Sequence, residues 1–541
     1  MLWDDAAKQL DLDFILSRLQ VHTPYGEEAK RALRLYAPEE SAALTEELNR
    51  VEAAVGLLGS HRYTVVEIRN QFKRVRHLGG TFARLAGGEV LSVTELFELK
   101  TLASVFERLE TLQKSLPWPP PEPLAVRRLP AVEALLDPEG TGTGTFYIYD
   151  AYSETLRGIR DEIRGFEGRI LQERKAQRES LEASLGLRFR PGGDITVPKQ
   201  DQELIDRLSG LPELVYNSET YINITYKIRT TASMDACEDR IARLKGQEEE
   251  AEYAVRQQLS RELSLWTDAL AENTAAIGLL DLLLAKAALA AGFQAVRPQL
   301  ARDGRLEIVG GRHLRVAQAL AREDKPYTPV SLSIGRGVTC ITGANMGGKT
   351  VTLKLVGMLC LMAQMGLFVP AERMVFTPLA YYFISVGDEQ NTDKGLSTFG
   401  AEMQKIGRIL QECHRPGLIL IDELARGTNP KEGYAISKAI LNHLKGQGAT
   451  TLITTHFDGL ADDPAILHLQ VAGLSGIDFE ALRQQLEAGE LLGIDAVHQL
   501  MDYRLRVVHG PEEVPKDAIN ISRLMGLDEG ILEEARKLLE T

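Results

Sequence analysis

Ile341-Thr-Gly-Ala-Asn-Met-Gly-Gly-Lys-Thr350 is the stretch whose reading decides the fold. A short apolar lead-in, Val338-Thr339-Cys340, precedes it. Val351-Thr-Leu-Lys-Leu-Val-Gly-Met-Leu-Cys-Leu-Met-Ala363 follows, with apolar residues at helical spacing. Strand, glycine loop and helix in that order make the phosphate-binding pattern G-x-x-x-x-G-K-[ST]. Glycines are needed because backbone N–H groups must curl around phosphate oxygens, where a Cβ would obstruct them. Gly343, Ala344, Asn345, Met346, Gly347 and Gly348 then form the cradle. Lys349 brings a point charge to the β- and γ-phosphates, and the Thr350 hydroxyl is placed for Mg²⁺. The helix N-terminus adds its own partial positive charge. A bound nucleoside triphosphate is the expectation.

The complement of this loop lies downstream. Gly417-Leu-Ile-Leu-Ile-Asp-Glu423 carries four consecutive aliphatics, as a central parallel strand requires. Two carboxylates end it, at the position where open α/β sheets bind ligands. Asp422 is suited to hold Mg²⁺ through water, and Glu423 to orient or deprotonate an attacking water. His456 ends the apolar run Thr451-Leu-Ile-Thr-Thr-His456 and is read as a γ-phosphate sensor, with a purely structural histidine as the alternative. Between these, Gly387-Asp-Glu-Gln-Asn-Thr-Asp-Lys-Gly-Leu-Ser-Thr-Phe-Gly-Ala-Glu-Met403 offers Ser397 or Thr398 as the cap of a helix starting near Phe399, with Glu402 near its first turn. A serine-capped helix N-terminus is also a phosphate site, and it need not serve the same subunit's nucleotide.

Composition narrows the class. The chain has 541 residues, enough for several domains, with 44% hydrophobic and 26% charged residues. No apolar run approaches the roughly 18 residues of a membrane span, and Met1-Leu-Trp-Asp-Asp5 does not read as a signal peptide. Cys237, Cys340, Cys360 and Cys413 lack metal-type spacing, which suits a reduced cytoplasm. A net charge of −14 disfavours strong, sequence-blind polyanion binding, although a local basic track remains compatible with it.

Along the chain, residues 1–125 read as an N-terminal helical domain, with apolar stripes in Leu10–Leu19 and Ala42–Leu58. Its basic patch, Arg69-Asn-Gln-Phe-Lys-Arg-Val-Arg-His77, reads as a solvated helix face. Pro117-Trp-Pro-Pro-Pro-Glu-Pro123 is a stiff break. Residues 126–300 suggest two long antiparallel helices, of coiled-coil type, enclosing a small tip domain at about 186–232. Ile159, Ile163, Phe166 and Ile170 mark the first helix, and Tyr221-Ile-Asn-Ile-Thr-Tyr-Lys-Ile228 looks strand-like. The second helical tract runs from about Ser233 to Ala291. Residues 301–460 alternate strands and helices as an α/β nucleotide-binding domain does, and 461–541 read as a polar, helix-rich tail.

These motifs, occurring together and in order, resemble the MutS family of ABC-type ATPases. The likeness is strong over about 305–460. It is nearest to the second MutS branch, whose members often carry an Smr nuclease tail. Leu135-Leu-Asp-Pro-Glu-Gly140 and the N-terminal Leu-Asp-Phe-Ile-Leu segment fit that branch more loosely. The resemblance implies a multidomain chain, with a helical core and levers ahead of a C-terminal P-loop ATPase domain. It implies a homodimer with two composite ATP sites. Each would use Gly343, Asn345, Gly347, Gly348, Lys349, Thr350, Asp422, Glu423 and His456 of one subunit, with Ser397 of the other closing on the γ-phosphate. The long helices look like the family's levers with a clamp-like tip. Met501-Asp-Tyr-Arg-Leu505, Ile519–Asp528 and the final helix resemble its C-terminal dimerisation element.

Departures from the family pattern shape the functional expectation. Mismatch-sensing members insert a Phe-x-Glu motif into DNA, and none of the fifteen phenylalanines here has Glu two positions later. No Smr tail is read after the dimerisation element, so nuclease activity is not expected. About 40 residues, Asp462 to Gln499, stand between the His456 turn and that element. The reading is a cytoplasmic ATPase whose arms grip DNA, branched or duplex. Arg157, Arg160, Arg164, Arg169, Arg174, Lys175 and Arg178 are candidate contacts, though they alternate with acids as on a solvated helix. The alternative is a protein client, as for MutS-like reactivases of cobalamin-dependent aminomutases.

Overall fold

A computed structural model describes residues 8–118, 120–343, 348–386, 398–425, 428–473, 501–509, 518–524 and 526–539. Two compact units emerge. One comprises Met1–Lys73, Lys114–Leu124 and Ala276–Thr541; the other comprises Arg74–Gln113 and Ala125–Ala275.

In the second unit, the helices Glu154–Leu185 and Ala232–Ser264 run antiparallel, because their ion pairs descend one helix as they climb the other. Arg160 meets Glu248 and Glu252, Arg174 meets Glu238, and Thr231 bonds Glu173. Ser153 and Thr231 cap the two N-termini. The apolar seam is narrow. Ile163, Ile241 and Leu244 are buried, flanked by Ile159, Phe166 and Ile170. Between the helices lies a small domain with strands β1 (Asp194–Pro198), β2 (Leu214–Glu219) and β3 (Asn223–Ile228), in the antiparallel order β1-β3-β2. The third strand starts two residues later than its apolar pattern suggests: Tyr221 and Ile222 lie in the preceding turn, Tyr221 at 96% exposure. The second helical tract is likewise two helices, parted at Leu265-Trp266 from Thr267–Gly292.

That last helix corrects the run-length reading of membrane-spanning potential. It is long and apolar enough to cross a membrane, but Asp281 and Lys286 interrupt the run and hid it. Both charges are buried and held. Asp281 accepts bonds from the His22 and Thr23 N–H groups at 2.8 and 2.7 Å and from Thr23 Oγ1 at 2.9 Å. Lys286 Nζ lies 2.6 Å from Glu47. With 72% of its most apolar window buried, the helix packs as a core element.

The C-terminal half carries ten strands among the described residues: β4 (Gln299–Leu300), β5 (Leu306–Gly311), β6 (Val330–Ile334), β7 (Gly337–Thr342), β8 (Arg373–Phe376), β9 (Tyr381–Ser385), β10 (Gly417–Ile421), β11 (Thr450–Thr454), β12 (Ile466–Gly473) and β13 (Asp502–Val508). A four-stranded sheet has the order β4-β8-β5-β6, and a six-stranded one β13-β12-β7-β11-β10-β9. In the larger sheet all strands but β13 are parallel. β7, β10 and β11 are buried along their whole length, which explains their unbroken apolar character. The tail read as helix-rich therefore needs correction. Its β12 and β13 complete this sheet, so Asp502-Tyr-Arg-Leu505 is an edge strand rather than part of a helical element. Further on are the helices Ala518–Leu524 and Glu529–Leu539.

The four cysteines are free. Burial pushes the Cys340 thiol up to about 12, and raises Cys360 and Cys413 as well, so these three behave as core residues.

Candidate nucleotide-binding site

The site is built where β7, β10 and β11 end together. Their registers pair Ile421 with Ile453 and Thr454 with Ile341, so residues just past these positions converge at the carboxyl edge of the sheet. Gly343 leaves β7 at φ 134°, and a Cβ there would stand 3.0 Å from the Val471 Cβ. Gly348 caps the helix Lys349–Gln364 at φ 79°, in the left-handed region that favours glycine. Ala344, Asn345, Met346 and Gly347 lie outside the described residues, as do Arg426 and Gly427.

Lys349, at 5% exposure, turns its Nζ back to donate to the Gly343 carbonyl at 2.7 Å. Burial lowers its pKa below the usual lysine range, while the charges of Glu423 and Asp422 oppose that shift. A buried ammonium at a helix N-terminus is poised for an anion that would compensate its lost hydration.

Asp422 is the hub. The Thr350 hydroxyl donates to its Oδ2 at 2.8 Å, and the Thr454 hydroxyl donates to its Oδ1 at 2.5 Å. The same Thr454 oxygen accepts the Glu423 N–H at 3.0 Å. One hydroxyl thus orients both carboxylate-bearing residues. Glu423 itself sits at φ 53°, followed by Ala425 at φ 59°. Non-glycine residues held in this region mark backbone over-determined by its surroundings. Two bonds fasten the turn: Ala425 N–H donates to Glu402 at 3.1 Å, and Ser437 donates to the Leu424 carbonyl at 3.2 Å. Burial raises the Glu402 pKa, with the Ala425 N–H opposing.

His456 is exposed beyond β11, its ring 4.7 Å from that of Phe457, which in turn packs edge-on against Tyr434. The Thr455 N–H donates to the Ile341 carbonyl at 3.1 Å and locks this turn beside the loop. Ser397 is outside the described residues. Thr398 opens the helix Thr398–Glu412, whose backbone bears out a helix starting near Phe399.

The motif reading missed Thr454 and His468. His468 Nε2 lies 2.7 Å from Thr342 Oγ1, tying β12 to the last residue of β7. Strand register was the signal available for Thr454, since the end of β11 must stand beside Asp422. Mg²⁺ fits the donor set: a hydroxyl and a carboxylate already meet, leaving further coordination to phosphate and water. On the arms, most of the candidate basic residues are engaged. Arg160 binds Asp150, Glu248 and Glu252; Arg164 binds Asp161; Arg174 and Lys175 meet Glu238 and Glu179. That favours the solvated-helix reading of this row over an open basic track.

Residues 339–540 match the family model described as MutS domain V. The chain is 31% identical over 479 residues to Endonuclease MutS2 of Shouchella clausii (strain KSM-K16), covering 85% of this chain and 56% of that protein. It is 30% identical over 546 residues to Endonuclease MutS2 of Geobacillus kaustophilus (strain HTA426), covering 97% and 64%. The protein of that name from Listeria monocytogenes serovar 1/2a matches at 30% over 407 residues, 73% of this chain and 47% of its own length. The chain therefore spans between about half and two thirds of these relatives. The resemblance to the MutS family, and within it to MutS2, is borne out.

Proposed function

We propose that this MutS-like chain is a Mg²⁺-dependent ATPase of P-loop, ABC-type fold, acting as a homodimer that couples ATP hydrolysis to a grip on DNA. The observation that carries the proposal is the meeting of Thr350, Asp422 and Thr454 beside the buried Lys349. In this reading the backbone from Gly343 to Gly348 cradles the phosphates and Lys349 neutralises their charge. Thr350 and Asp422 hold the metal, which when bound withdraws charge from the phosphate oxygens. Glu423, oriented through Thr454, positions and deprotonates the attacking water. His456 senses the γ-phosphate, and Ser397 and Thr398 of the second copy complete the site. Asp422 is suited to its role because two hydroxyls fix both carboxylate oxygens before substrate arrives, so little reorganisation remains. The relatives carry the word endonuclease in their names. No cleavage of DNA is proposed for this chain.

The long helices 154–185 and 232–264 act as arms, and duplex or branched DNA is the proposed cargo. Steady-state ATP turnover with linear, mismatched and four-way-junction DNA tests it. Several-fold stimulation by one form, lost at high salt, is expected. Turnover indifferent to every DNA would contradict the DNA assignment and point to a protein client, for which the net charge of −14 is the supporting feature.

A further inference from the structure

The helix that presents Lys349 and Thr350 is held from behind by the extreme N-terminal segment. Leu10, Leu12, Ile15 and Leu19 are fully buried in the same core as Leu353, Val356 and Leu420. The closest approach is at Gly357, where a Cβ would stand 2.6 Å from Leu10 Cδ1 and 2.7 Å from Leu420 Cδ1. Glycine there lets the nucleotide-site helix lie flush between β10 and the N-terminal segment. On the other flank, Gln9 Oε1 accepts the Val386 N–H at 3.4 Å, at the end of β9.

Asp11 adds charge to this apolar contact. It occupies φ 56°, in the left-handed region that aspartate enters more readily than most residues with a side chain. Its carboxylate gathers three groups: Arg315 Nη1 at 2.5 Å, and Lys354 Nζ and His313 Nε2 each at 3.5 Å. Lys354 lies on the nucleotide-site helix, about one turn beyond Thr350. His313 is fully buried, with both ring nitrogens lacking a hydrogen bond, and burial holds its pKa below the usual histidine range. The neutral ring therefore leaves Lys354 and Arg315 as the charges that Asp11 balances. The Asp11 carboxylate is thus set between a buried, neutral imidazole and a lysine of this helix.

We propose that Asp11 is a positioning residue of the nucleotide site: through Lys354 it fixes the first turns of the helix Lys349–Gln364, and with them the Lys349 ammonium and the Thr350 hydroxyl. This rests on the ATPase reading above. The test uses the full chain, with Asp11→Asn, Asp11→Glu, Lys354→Met and Lys349→Ala measured for affinity toward a fluorescent ATP analogue with Mg²⁺, for ATP turnover, and for thermal midpoint. Asp11→Asn is expected to lose about tenfold in nucleotide affinity or turnover, as loss of supporting interactions commonly does, with the protein still folded at the assay temperature. Asp11→Glu should recover part of the loss, and Asp11→Asn combined with Lys354→Met should be no worse than either alone. Affinity and turnover within twofold of wild type in Asp11→Asn, whatever its thermal midpoint, would overturn the proposal. If Asp11→Asn is unfolded, Lys354→Met decides: a similar loss supports the proposal, and unchanged binding overturns it. Lys349→Ala separates the two claims. Should it bind and hydrolyse ATP normally, the ATPase reading fails; should it alone be impaired, only the role of Asp11 fails.

Discussion

Thr454 links the two acidic residues through one hydroxyl, which donates to Asp422 and accepts from the Glu423 backbone. Thr454→Val keeps the strand's shape while removing that hydroxyl. The expected result is retained nucleotide binding, turnover lowered roughly 10–100-fold, and a raised Mg²⁺ requirement in a metal titration. Glu423→Gln keeps the shape of the turn and removes the base, so it should bind ATP and hydrolyse it far more slowly. The meeting of Lys349, Asp422 and Glu423 could be read from spacing because phosphate-binding patterns call for particular residue types in a particular order. Thr454 could not be read that way, since a strand-end threonine is ordinary until register sets it beside a carboxylate.

Among the elements, the helix Thr267–Gly292 shows how buried polar groups fix a packing partner. Asp281 receives three hydrogen bonds from the turn at His22 and Thr23, and a Cβ at Gly278 would stand 2.5 Å from the Tyr25 carbonyl oxygen. Asp281→Ala should cost roughly 2–3 kcal/mol in denaturant unfolding, since the donors lose their acceptor. Asp281→Asn keeps an acceptor and should cost less. Burial raises the Asp281 pKa above its unfolded value, the three donors opposing. Its stabilising contribution is therefore full below the unfolded pKa and is lost as pH rises through the folded one. Unfolding free energies measured from acid to neutral pH should show that component in wild type and lack it in Asp281→Asn. The same helix escaped a run-length reading because two charges interrupt it. β12 and β13 escaped because their alternation is short and mixed with polar residues, and long-range pairing, of β12 to β7 and of β13 to β12, decides their state.

For the whole molecule, the antiparallel arms and the central parallel strand were legible in outline: seam residues at three- and four-residue spacing in one case, an unbroken aliphatic run ending in two carboxylates in the other. The interleaving of the two compact units was not, because contacts between distant segments leave no local pattern. Arg160 braces the arms against Asp150, Glu248 and Glu252. Arg160→Ala leaves three carboxylates facing one another, so amide exchange in 232–264 should quicken, with nucleotide affinity unchanged. A composite site further predicts that mixing Ser397→Ala with Lys349→Ala chains gives dimers in which one site keeps a complete set of residues. Recovery of turnover in the mixture, over either variant alone, checks this.

The central claim is met most directly by Mg²⁺-dependent ATP turnover of the full chain, measured beside Glu423→Gln with nucleotide binding recorded for both. The account predicts turnover by wild type that chelation of the metal abolishes, and a variant that binds ATP with near-normal affinity yet hydrolyses it at least about a hundredfold more slowly. Equal turnover in the two proteins, or no binding by either, would contradict it.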